Sequence, residues 1–406
     1  MRVFTAIVTL ALLSACHQAS PLVPTTATAR EAADSGARAV AGRLLVKWKG
    51  PEAANRWRDQ LGLNASALDG EGTQAIDLPA GMTAEAFRQA AGADLAYAEP
   101  DYIMRAVKPP VDKDTKGQYA LQKVRAAEAW KITRGKADIR IAVVDTGVDL
   151  GHPDLKGQIV ASTNVIGWRG KLGLASAKDG NGHGTHCAGV VAASANGQGV
   201  SGIAPGCKLL IAKALGDDGA GATSDIVRGI RWALAQKADV ISLSVGGEDD
   251  AEALRDAVDD ALKAGVVVVA AMGNEGKTLK NYPAAYPGVI AVGATNSRDQ
   301  VSGFSTRGSW ISVCAPGANI QSTTPTYKVT MSHKDAGGLT ATYGQLSGTS
   351  MATPLVAGLA GLIKSQHPGW TPAQVKKAIE RSAVKLGGGF SNTAGHGRVD
   401  AAAALK

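Results

Sequence analysis

The sequence IAVVDTG at residues 141–147 indicates the fold class of this chain. Apolar residues lead directly into Asp145, and a Thr-Gly pair then turns the chain. A short continuous apolar run that ends in turn residues is typical of a strand buried on both faces. The pattern predicts a strand over residues 139–145 whose last side chain is acidic.

Similar apolar runs recur downstream and are separated by segments with helical periodicity. Strands are predicted at residues 209–214, 240–245, 266–271 and 289–294, and helices at residues 225–236 and 251–264. Strands that alternate with helices predict an α/β domain with a parallel, doubly wound sheet and helices on both faces. Active sites in such sheets lie at the C-terminal ends of the strands, which is where Asp145 falls.

The chain upstream of this domain follows a different pattern. Strands are predicted at residues 44–48, 73–78 and 94–98, and helices at residues 51–61 and 83–91. The pattern indicates a small α+β unit over residues 43–105, ahead of the larger domain at residues 106–406. A connector rich in Pro, Lys and Asp occupies residues 107–117.

The N-terminus has the pattern of an export signal. Arg2 precedes an apolar run at residues 3–15 that is too short to span a bilayer. The run ends in LSAC at residues 13–16, which resembles the bacterial lipobox, and this resemblance implies lipidation of Cys16 and anchoring to a membrane surface. An ordinary signal peptide with an incidental cysteine is the alternative. Residues 1–16 are predicted as signal and residues 17–42, rich in Ala, Thr, Ser and Pro, as linker.

The charge and cysteine patterns exclude several classes of function. The net charge is +8, but Lys and Arg are scattered, which argues against a nucleic-acid-binding protein. Besides Cys16 the chain has Cys187, Cys207 and Cys314, an odd number, so at least one thiol stays free unless it pairs between molecules. The sequence contains no C-x-x-C spacing of the kind that forms zinc sites.

Two further motifs carry candidate chemistry. His183 lies in NGHGTHCAG at residues 181–189, where the glycines allow close approach of backbone to the imidazole. His183 and His186 are an alternative metal pair, but the motif lacks the Glu of H-E-x-x-H, which favours His183 as a general base and His186 as structural. Ser350 lies in GTSMATP at residues 348–354, before a stretch of small apolar residues.

Ser350 is predicted to open a buried helix whose packing requires Gly358 and Gly361. A helix N-terminus carries partial positive charge, which would stabilise a developing oxyanion. The alternative is that Ser350 is only an N-cap. The motif is not G-x-S-x-G, which argues against an α/β-hydrolase.

Taken together, the Asp, His and Ser motifs in this chain order resemble the subtilisin-like serine protease family over residues 43–406. The resemblance implies a serine endopeptidase in which Asp145 orients His183, His183 is the general base and Ser350 is the nucleophile. It also implies that Asn274, in GNEG at residues 273–276, forms the oxyanion hole with the Ser350 N–H. Such chemistry requires no cofactor.

The resemblance extends to substrate-binding residues. Ser244, Val245 and Gly246 match the edge that pairs with substrate as an added strand. Asn281 falls near the floor of the specificity pocket, where no acidic residue is obvious, so broad specificity with an apolar or aromatic preference is expected. The chain departs from the family pattern at Ser242, at Leu355 and in a longer connection at residues 325–342.

A structural calcium site is also implied. Asp154 and Asn196 match the family's calcium positions, with carbonyl oxygens from Ser194, Gln198 and Val200. Asp112 or Asp114 is a further potential ligand. The alternative is an ordinary Gly-rich turn.

The resemblance gives the small upstream unit a role. Its last segment, YAEPDY at residues 97–102, resembles the end of subtilisin-type propeptides, which implies an inhibitory unit removed by self-cleavage between Tyr102 and Lys116. Cys187, four residues after His183, is expected behind the active site, where a bound mercurial would displace the imidazole. The alternative is a buried, inert thiol. We expect a monomer that acts on protein or peptide substrates. The alternatives are an inactive, surface-anchored scaffold relative and a serine hydrolase acting on non-peptide esters.

Overall fold

The computed structural model describes residues 38–63, 65–68, 72–106, 117–167, 176–332 and 342–406. The predicted signal at residues 1–16, with Cys16, lies outside the described residues, as does most of the predicted linker. The same holds for Asp112 and Asp114 of the connector.

A seven-stranded parallel sheet forms the centre of the larger domain. In spatial order its strands are β13 (Val313–Pro316), β12 (Ile290–Thr295), β11 (Val267–Ala271), β9 (Val240–Leu243), β5 (Arg140–Asp145), β7 (Lys208–Lys213) and β6 (Ile159–Asn164). All neighbouring strands pair in parallel. The predicted α/β fold with a parallel sheet is therefore confirmed.

Helices cover both faces of this sheet. The helices α5 (His183–Ala192) and α8 (Thr349–Gln366) pack on one face, and α6 (Thr223–Ala235) and α7 (Glu252–Lys263) pack on the other. Along β5, Ile141 and Val143 enter the first core while Ala142 and Val144 enter the second. This alternation explains why the strand is apolar throughout. The described part of the larger domain also contains the helices α3 (Tyr119–Lys123), α4 (Ala126–Ala129), α9 (Pro372–Ser382) and α10 (Ala401–Ala404).

Two glycines allow the buried helix α8 to pack closely. A Cβ at Gly358 would lie 2.3 Å from Ile203 Cγ2, and one at Gly361 would lie 2.5 Å from Ile141 Cδ1. Because protein cores tolerate little overpacking, larger residues at either position would push α8 away from its neighbours.

The smaller domain is an antiparallel sheet with two helices. Its elements are β1 (Ala39–Trp48), α1 (Pro51–Leu61), β2 (Ala65–Ala67), β3 (Thr73–Asp77), α2 (Ala84–Ala91) and β4 (Leu95–Ala106). Two predicted boundaries were wrong. Strand β1 begins at Ala39, inside the predicted linker, and β4 runs to Ala106 instead of ending at Ala98. The added lengths pair with each other, since Ala39 lies opposite Tyr102.

Strand β4 also pairs with the larger domain. Its C-terminal end lies between β8 (Ala220–Ala222) and β10 (Val245–Gly246), antiparallel to both. The predicted strand at residues 240–245 is thus two strands, β9 and β10, which are separated at Ser244. The hairpin β14 (Ile320–Thr323) and β15 (Tyr343–Leu346) leads into α8.

Three described cysteines are free and buried. Cys207 belongs to the core on the α8 side of the sheet, whereas Cys314 belongs to the core on the opposite side. In this structure they form no disulfide with each other. Within the described part of the chain, none of the helices combines the length and apolar composition that a membrane crossing requires.

Candidate active site

Asp145 and His183 meet at the C-terminal edge of the sheet. Asp145 is the last residue of β5 and His183 the first of α5, and the His183 Nδ1 to Asp145 Oδ1 distance is 2.8 Å. The Thr146 N–H donates to the same carboxylate oxygen at 2.7 Å. An Nδ1–H donated to Asp145 leaves Nε2 as the basic nitrogen, and among the described residues Nε2 has no hydrogen-bond partner.

The pKa of His183 reflects two opposing effects. Burial disfavours the imidazolium, but the negative charge of Asp145 and its hydrogen bond outweigh burial and raise the pKa of His183 well above its ordinary value. Asp145 therefore makes His183 a stronger base.

Ser350 is the second residue of α8 and is fully buried. The N-cap position of this helix is Gly348, so Ser350 is not an N-cap. The Ser350 hydroxyl donates to the Ser244 carbonyl at 3.2 Å, and the Ser244 hydroxyl donates to the Ser350 carbonyl at 2.8 Å. These reciprocal bonds fix Ser350 against the strand edge that contains Ser244.

Cys187 is in the helix that begins at His183, and its side chain faces the helix that contains Ser350. Its Sγ is 3.8 Å from His183 Nδ1 and donates to the Ser350 carbonyl at 3.4 Å. Among the described residues, Asp145, His183 and Cys187 form the only cluster of three His, Cys, Asp or Glu side chains close enough to share a metal ion.

Asn274 is oriented by the residue before Ser350. The backbone N–H and the hydroxyl of Thr349 both donate to Asn274 Oδ1, at 2.9 and 3.0 Å. The NH₂ group is thereby turned away from Thr349. A Cβ at Gly348 would lie 3.0 Å from Asn274 Nδ2, so glycine at this position keeps space beside that donor.

A buried carboxylate that the sequence reasoning missed organises the His183 region. Asp179 Oδ1 accepts from the N–H groups of Asn181 and Gly182 and from the Thr146 hydroxyl, at 2.8 to 3.0 Å. Its Oδ2 accepts from the N–H and hydroxyl of Thr185 at 2.9 and 2.6 Å. Asp179 thus joins the first turn of α5 to the residue after Asp145. An acidic residue four positions before His183 was the available sequence signal.

His186 faces away from this cluster. Its Nε2–H donates to the Ile320 carbonyl at 2.8 Å, and burial lowers the pKa of His186 to about 3. The neutral ring joins α5 to β14.

The proposed substrate edge and pocket residues lie together. Val245 and Gly246 form β10, and a Cβ at Gly246 would lie 2.2 Å from Asn281 Nδ2. One acidic side chain, the exposed Glu275, lies close to Asn281, and its Oε2 accepts the Thr306 hydroxyl at 2.6 Å. A Cβ at Gly273 would lie 2.5 Å from Glu275 Oε2 and 3.1 Å from Asn281 Nδ2. Glu275 directly follows Asn274, but only the turn at Gly273 brings its carboxylate to this position.

The predicted calcium residues also lie together. Asp154 is buried and accepts from Asn196 Nδ2 at 3.0 Å and from the Val200 N–H at 3.1 Å. The Ser194 N–H donates to the Asp154 carbonyl, and the Gln198 N–H donates to Asn196 Oδ1. In this arrangement N–H donors satisfy both carboxylate oxygens of Asp154.

Known proteins are similar to this chain over most of its length. Residues 136–397 match the sequence profile of the subtilase family. Subtilisin E of Bacillus subtilis is 40% identical over 318 residues, which are 76% of this chain and 75% of that protein. Thermitase of Thermoactinomyces vulgaris is 44% identical over 290 residues, which are 71% of this chain and 96% of that protein.

A solved structure is similar over most of the chain. Fervidolysin from Fervidobacterium pennivorans, a keratinolytic enzyme related to subtilisin, superposes with a TM-score of 0.78 at 30% identity. The match covers 91% of this chain and 61% of fervidolysin, so this chain corresponds to less than two thirds of that protein.

Proposed function

We propose that this chain, which belongs to the subtilase family and is a serine endopeptidase, cleaves peptide bonds with a triad of Asp145, His183 and Ser350. The observation that carries the proposal is the buried 2.8 Å contact between His183 Nδ1 and Asp145 Oδ1. Ser350 supplies a hydroxyl at the start of α8, the neighbouring helix on the same face of the sheet.

The triad divides the proton transfers among three groups. When substrate binds, the Ser350 hydroxyl turns from the Ser244 carbonyl to His183 Nε2, which takes its proton as Ser350 Oγ attacks the peptide carbonyl. The tetrahedral oxyanion is stabilised by the Asn274 NH₂ group and the Ser350 N–H. His183 then protonates the leaving amine, and water hydrolyses the acyl-enzyme by the reverse sequence.

Single substitutions test the triad. Ser350→Ala and His183→Ala should each lower kcat on casein by about 10⁶ without loss of the folded state. A fluorophosphonate probe should label wild type on the peptide that contains Ser350. If purified, processed wild type neither takes the label nor cleaves protein, an inactive scaffold explains the chain better. If it cleaves esters but not peptides, it is an esterase.

The smaller domain acts as an inhibitory propeptide in this proposal. Support comes from β4, which pairs through Arg105 and Ala106 with Gly246 and Val245 and so fills the edge proposed for substrate. The last described pair of this ladder is Ala106 with Val245, and Val245 directly follows Ser244, whose carbonyl accepts the Ser350 hydroxyl. Self-cleavage should therefore occur shortly after Ala106 and well before Lys116.

Self-cleavage is tested by the size of the product. Wild type should lose about a quarter of its mass, whereas Ser350→Ala should remain a precursor near 41.3 kDa less its signal. Intramolecular attack is favoured because the strand is held beside the nucleophile at high effective concentration. Identical maturation of both proteins in a protease-deficient host would refute self-processing.

A calcium ion bound between Asp154 and Asn196 is a further part of the proposal. A carboxylate and a side-chain amide, together with the carbonyls of Ser194, Gln198 and Val200, are oxygen donors of the type that Ca²⁺ prefers, so the residues fit. Binding requires the Asn196 amide to present its oxygen instead of the nitrogen that now donates to Asp154. The ion would stabilise the loop and take no part in bond cleavage.

Export and lipid anchoring complete the proposal. Cys16 would carry the lipid, and residues from 17 onward would tether the precursor to a periplasmic or outer surface. Self-cleavage after Ala106 would separate the larger domain from this anchor, so the processed enzyme would be secreted unless the smaller domain keeps it bound. Mass spectrometry of the N-terminal peptide tests this directly, because an acylated Cys16 and an unmodified N-terminus differ in mass.

The pocket near Asn281 should accept apolar or aromatic side chains, and the nearby Glu275 would add a negative charge at its edge. We therefore expect the pocket to accept Lys or Arg as well. Initial rates on peptides that differ only at the residue before the cleaved bond test this. Two outcomes would contradict a role for Glu275. Wild type could reject peptides with Lys or Arg, or Glu275→Gln could cleave these peptides as fast as wild type does.

A further inference from the structure

The long connection before the Ser350 motif contacts the loop that leads into His183. Residues 324–332, here called the strap, follow β14. The backbone N–H groups of Thr330 and Met331 donate to the carbonyls of Gly180 and Asn181, both at 3.0 Å. Met331 is buried in the core on the α8 side of the sheet. The strap is therefore anchored to the larger domain and holds residues 180–181 from outside.

A second contact joins the strap to Asp149. Asp149 Oδ2 accepts from the Thr326 N–H at 2.9 Å and from the Thr326 hydroxyl at 2.7 Å. Asp149 is buried, with 4% of its surface exposed, whereas Thr326 is exposed. A buried carboxylate that lost these donors would be under-satisfied, so Thr326 and Asp149 should hold each other in place.

Asp149 is in turn connected to the His183 helix. Its backbone N–H donates to the Thr185 hydroxyl at 3.0 Å, and that hydroxyl donates to Asp179 Oδ2 at 2.6 Å. Asp179 holds the Gly182 N–H and the Thr146 hydroxyl, which flank His183 and Asp145 in sequence. A continuous hydrogen-bonded path thus runs from Thr326 to the residues next to both members of the pair.

A further contact joins the strap to the loop that precedes His183. Lys178 Nζ lies 4.3 Å from the centre of the Tyr327 ring, a cation–π contact between the strap and the residue before Asp179. The loop that precedes His183 is therefore held at residues 178, 180 and 181 by three successive parts of the strap.

We propose that the strap positions the general base: through Thr326 and Asp149 it fixes the loop and first turn that hold His183 in line between Asp145 and Ser350. The inference rests on the proposed triad. Thr326 is a positioning residue, because it touches neither the reacting atoms nor their hydrogen-bond partners. Reaction rates are sensitive to small displacements of catalytic groups, so a loosened strap should lower kcat more than it changes KM.

Three substitutions in the processed enzyme test the inference. Thr326→Val removes the hydroxyl and keeps the branched shape, Thr326→Ser restores the hydroxyl, and Ser332→Ala is the matched control. Ser332 Oγ accepts only the N–H of Val329 among the strap bonds described, so its loss disturbs the strap without breaking the path to Asp149. The substrate is a short peptide p-nitroanilide assayed from pH 5 to 10, with Tm measured in parallel.

We expect Thr326→Val to lower kcat by about threefold to tenfold, with KM within about twofold of wild type. The acidic limb of its pH–rate profile should move to lower pH, because a looser Asp145 contact raises the pKa of His183 less. Thr326→Ser should recover wild-type values and Ser332→Ala should retain them. If Thr326→Val does not fold, the same shifts are expected in Thr330→Val, which loses the hydroxyl bond to the Gly180 carbonyl.

Wild-type kcat and pH profile in a folded Thr326→Val, or an equal loss in Ser332→Ala, would overturn the inference. His183→Ala is assayed alongside. If it is inactive while Thr326→Val is normal, only the role of the strap is wrong. If His183→Ala retains activity, the triad itself is wrong.

Discussion

Asp101 in the smaller domain and Ser224 in the larger one are joined by two hydrogen bonds. The Asp101 carboxylate accepts the Ser224 N–H at 2.9 Å and the Ser224 hydroxyl at 2.7 Å. Ser224 lies in the first turn of α6, where a negative charge is favoured by the helix dipole. Asp101 is fully buried by this contact, so a residue of one domain caps a helix of the other.

Loss of this cap should weaken the contact between the domains. In the Ser350→Ala background, which keeps the precursor intact, Asp101→Ala should cost about 1–3 kcal/mol, because the buried N–H and hydroxyl of Ser224 lose their acceptor. We expect the Tm of the Asp101→Ala precursor to be several degrees lower than that of the Ser350→Ala precursor. Glu52→Ala, which removes an exposed acid of the same domain, is the control. Equal Tm values for the two variants would contradict the cap.

Docking of the smaller domain should depend on pH through Glu99. Glu99 caps α7 by accepting the N–H groups of Glu252 and Ala253, and burial raises the pKa of Glu99 to about 7. A docked state with the higher pKa takes up a proton, so docking strengthens as pH falls from 7 toward 4.5 and weakens as pH rises through this window. The Tm of the Ser350→Ala precursor should therefore fall between pH 5 and pH 8, and adding Glu99→Gln should make this fall smaller. If the fall in Tm is the same with and without Glu99→Gln, Glu99 is not its source.

Activity should report the raised pKa of His183. The neutral imidazole accepts the Ser350 proton, so kcat/KM of the processed enzyme should rise with pH through a value above 6.5. Asp145→Asn removes the charge that raises this pKa and should lower kcat by about 10⁴, with the limb displaced to lower pH. A limb in the same position for both enzymes would show that Asp145 does not set the pKa of His183.

Chelation should destabilise the processed enzyme if Asp154 and Asn196 hold calcium. At a calcium concentration about 100 times Kd, binding stabilises by about 2.7 kcal/mol, which corresponds to a Tm shift of about 5–10 °C. EDTA should lower the Tm of wild type by this amount and should have little effect on the Tm of Asp154→Asn. A wild-type Tm that excess chelator leaves unchanged would contradict the calcium site.

A mercurial should inactivate the enzyme through Cys187. Mercury on Sγ would occupy the space between His183 and the Ser350 carbonyl, because Sγ already lies 3.8 and 3.4 Å from these groups. Burial raises the pKa of the Cys187 thiol, so alkylation by iodoacetamide should be slow. Cys187→Ser should resist the mercurial. Full activity of a protein shown by peptide mapping to carry one mercury on Cys187 would refute the idea.

The central strands were predictable because each is buried on both faces and therefore reads as a continuous apolar run. The ends of β1 and β4 were not, because residues 39–43 and 99–106 become strands through pairing with each other and with β8 and β10. Such pairing depends on partners that are distant in sequence.

Within the site, the motifs around Asp145, His183 and Ser350 each indicated a candidate catalytic side chain, but they did not indicate the residues that surround it. Asp179 gathers donors from several loop residues, and that convergence exists only once the chain has folded. Glu275 stands in a motif already singled out, but the proximity of its carboxylate to Asn281 depends on the turn at Gly273, where φ is 102°.

The position of β4 between β8 and β10 has a consequence for self-association. Each of these short strands pairs with β4 alone in the described sheets, so removal of β4 exposes two unpaired backbone edges. Open edges are sites of intermolecular strand pairing and aggregation. While the smaller domain stays in place, newly made chains are shielded from cross-pairing with one another. Afterwards, the brevity of β8 and β10, three and two residues long, limits the ladder that a neighbouring molecule can form.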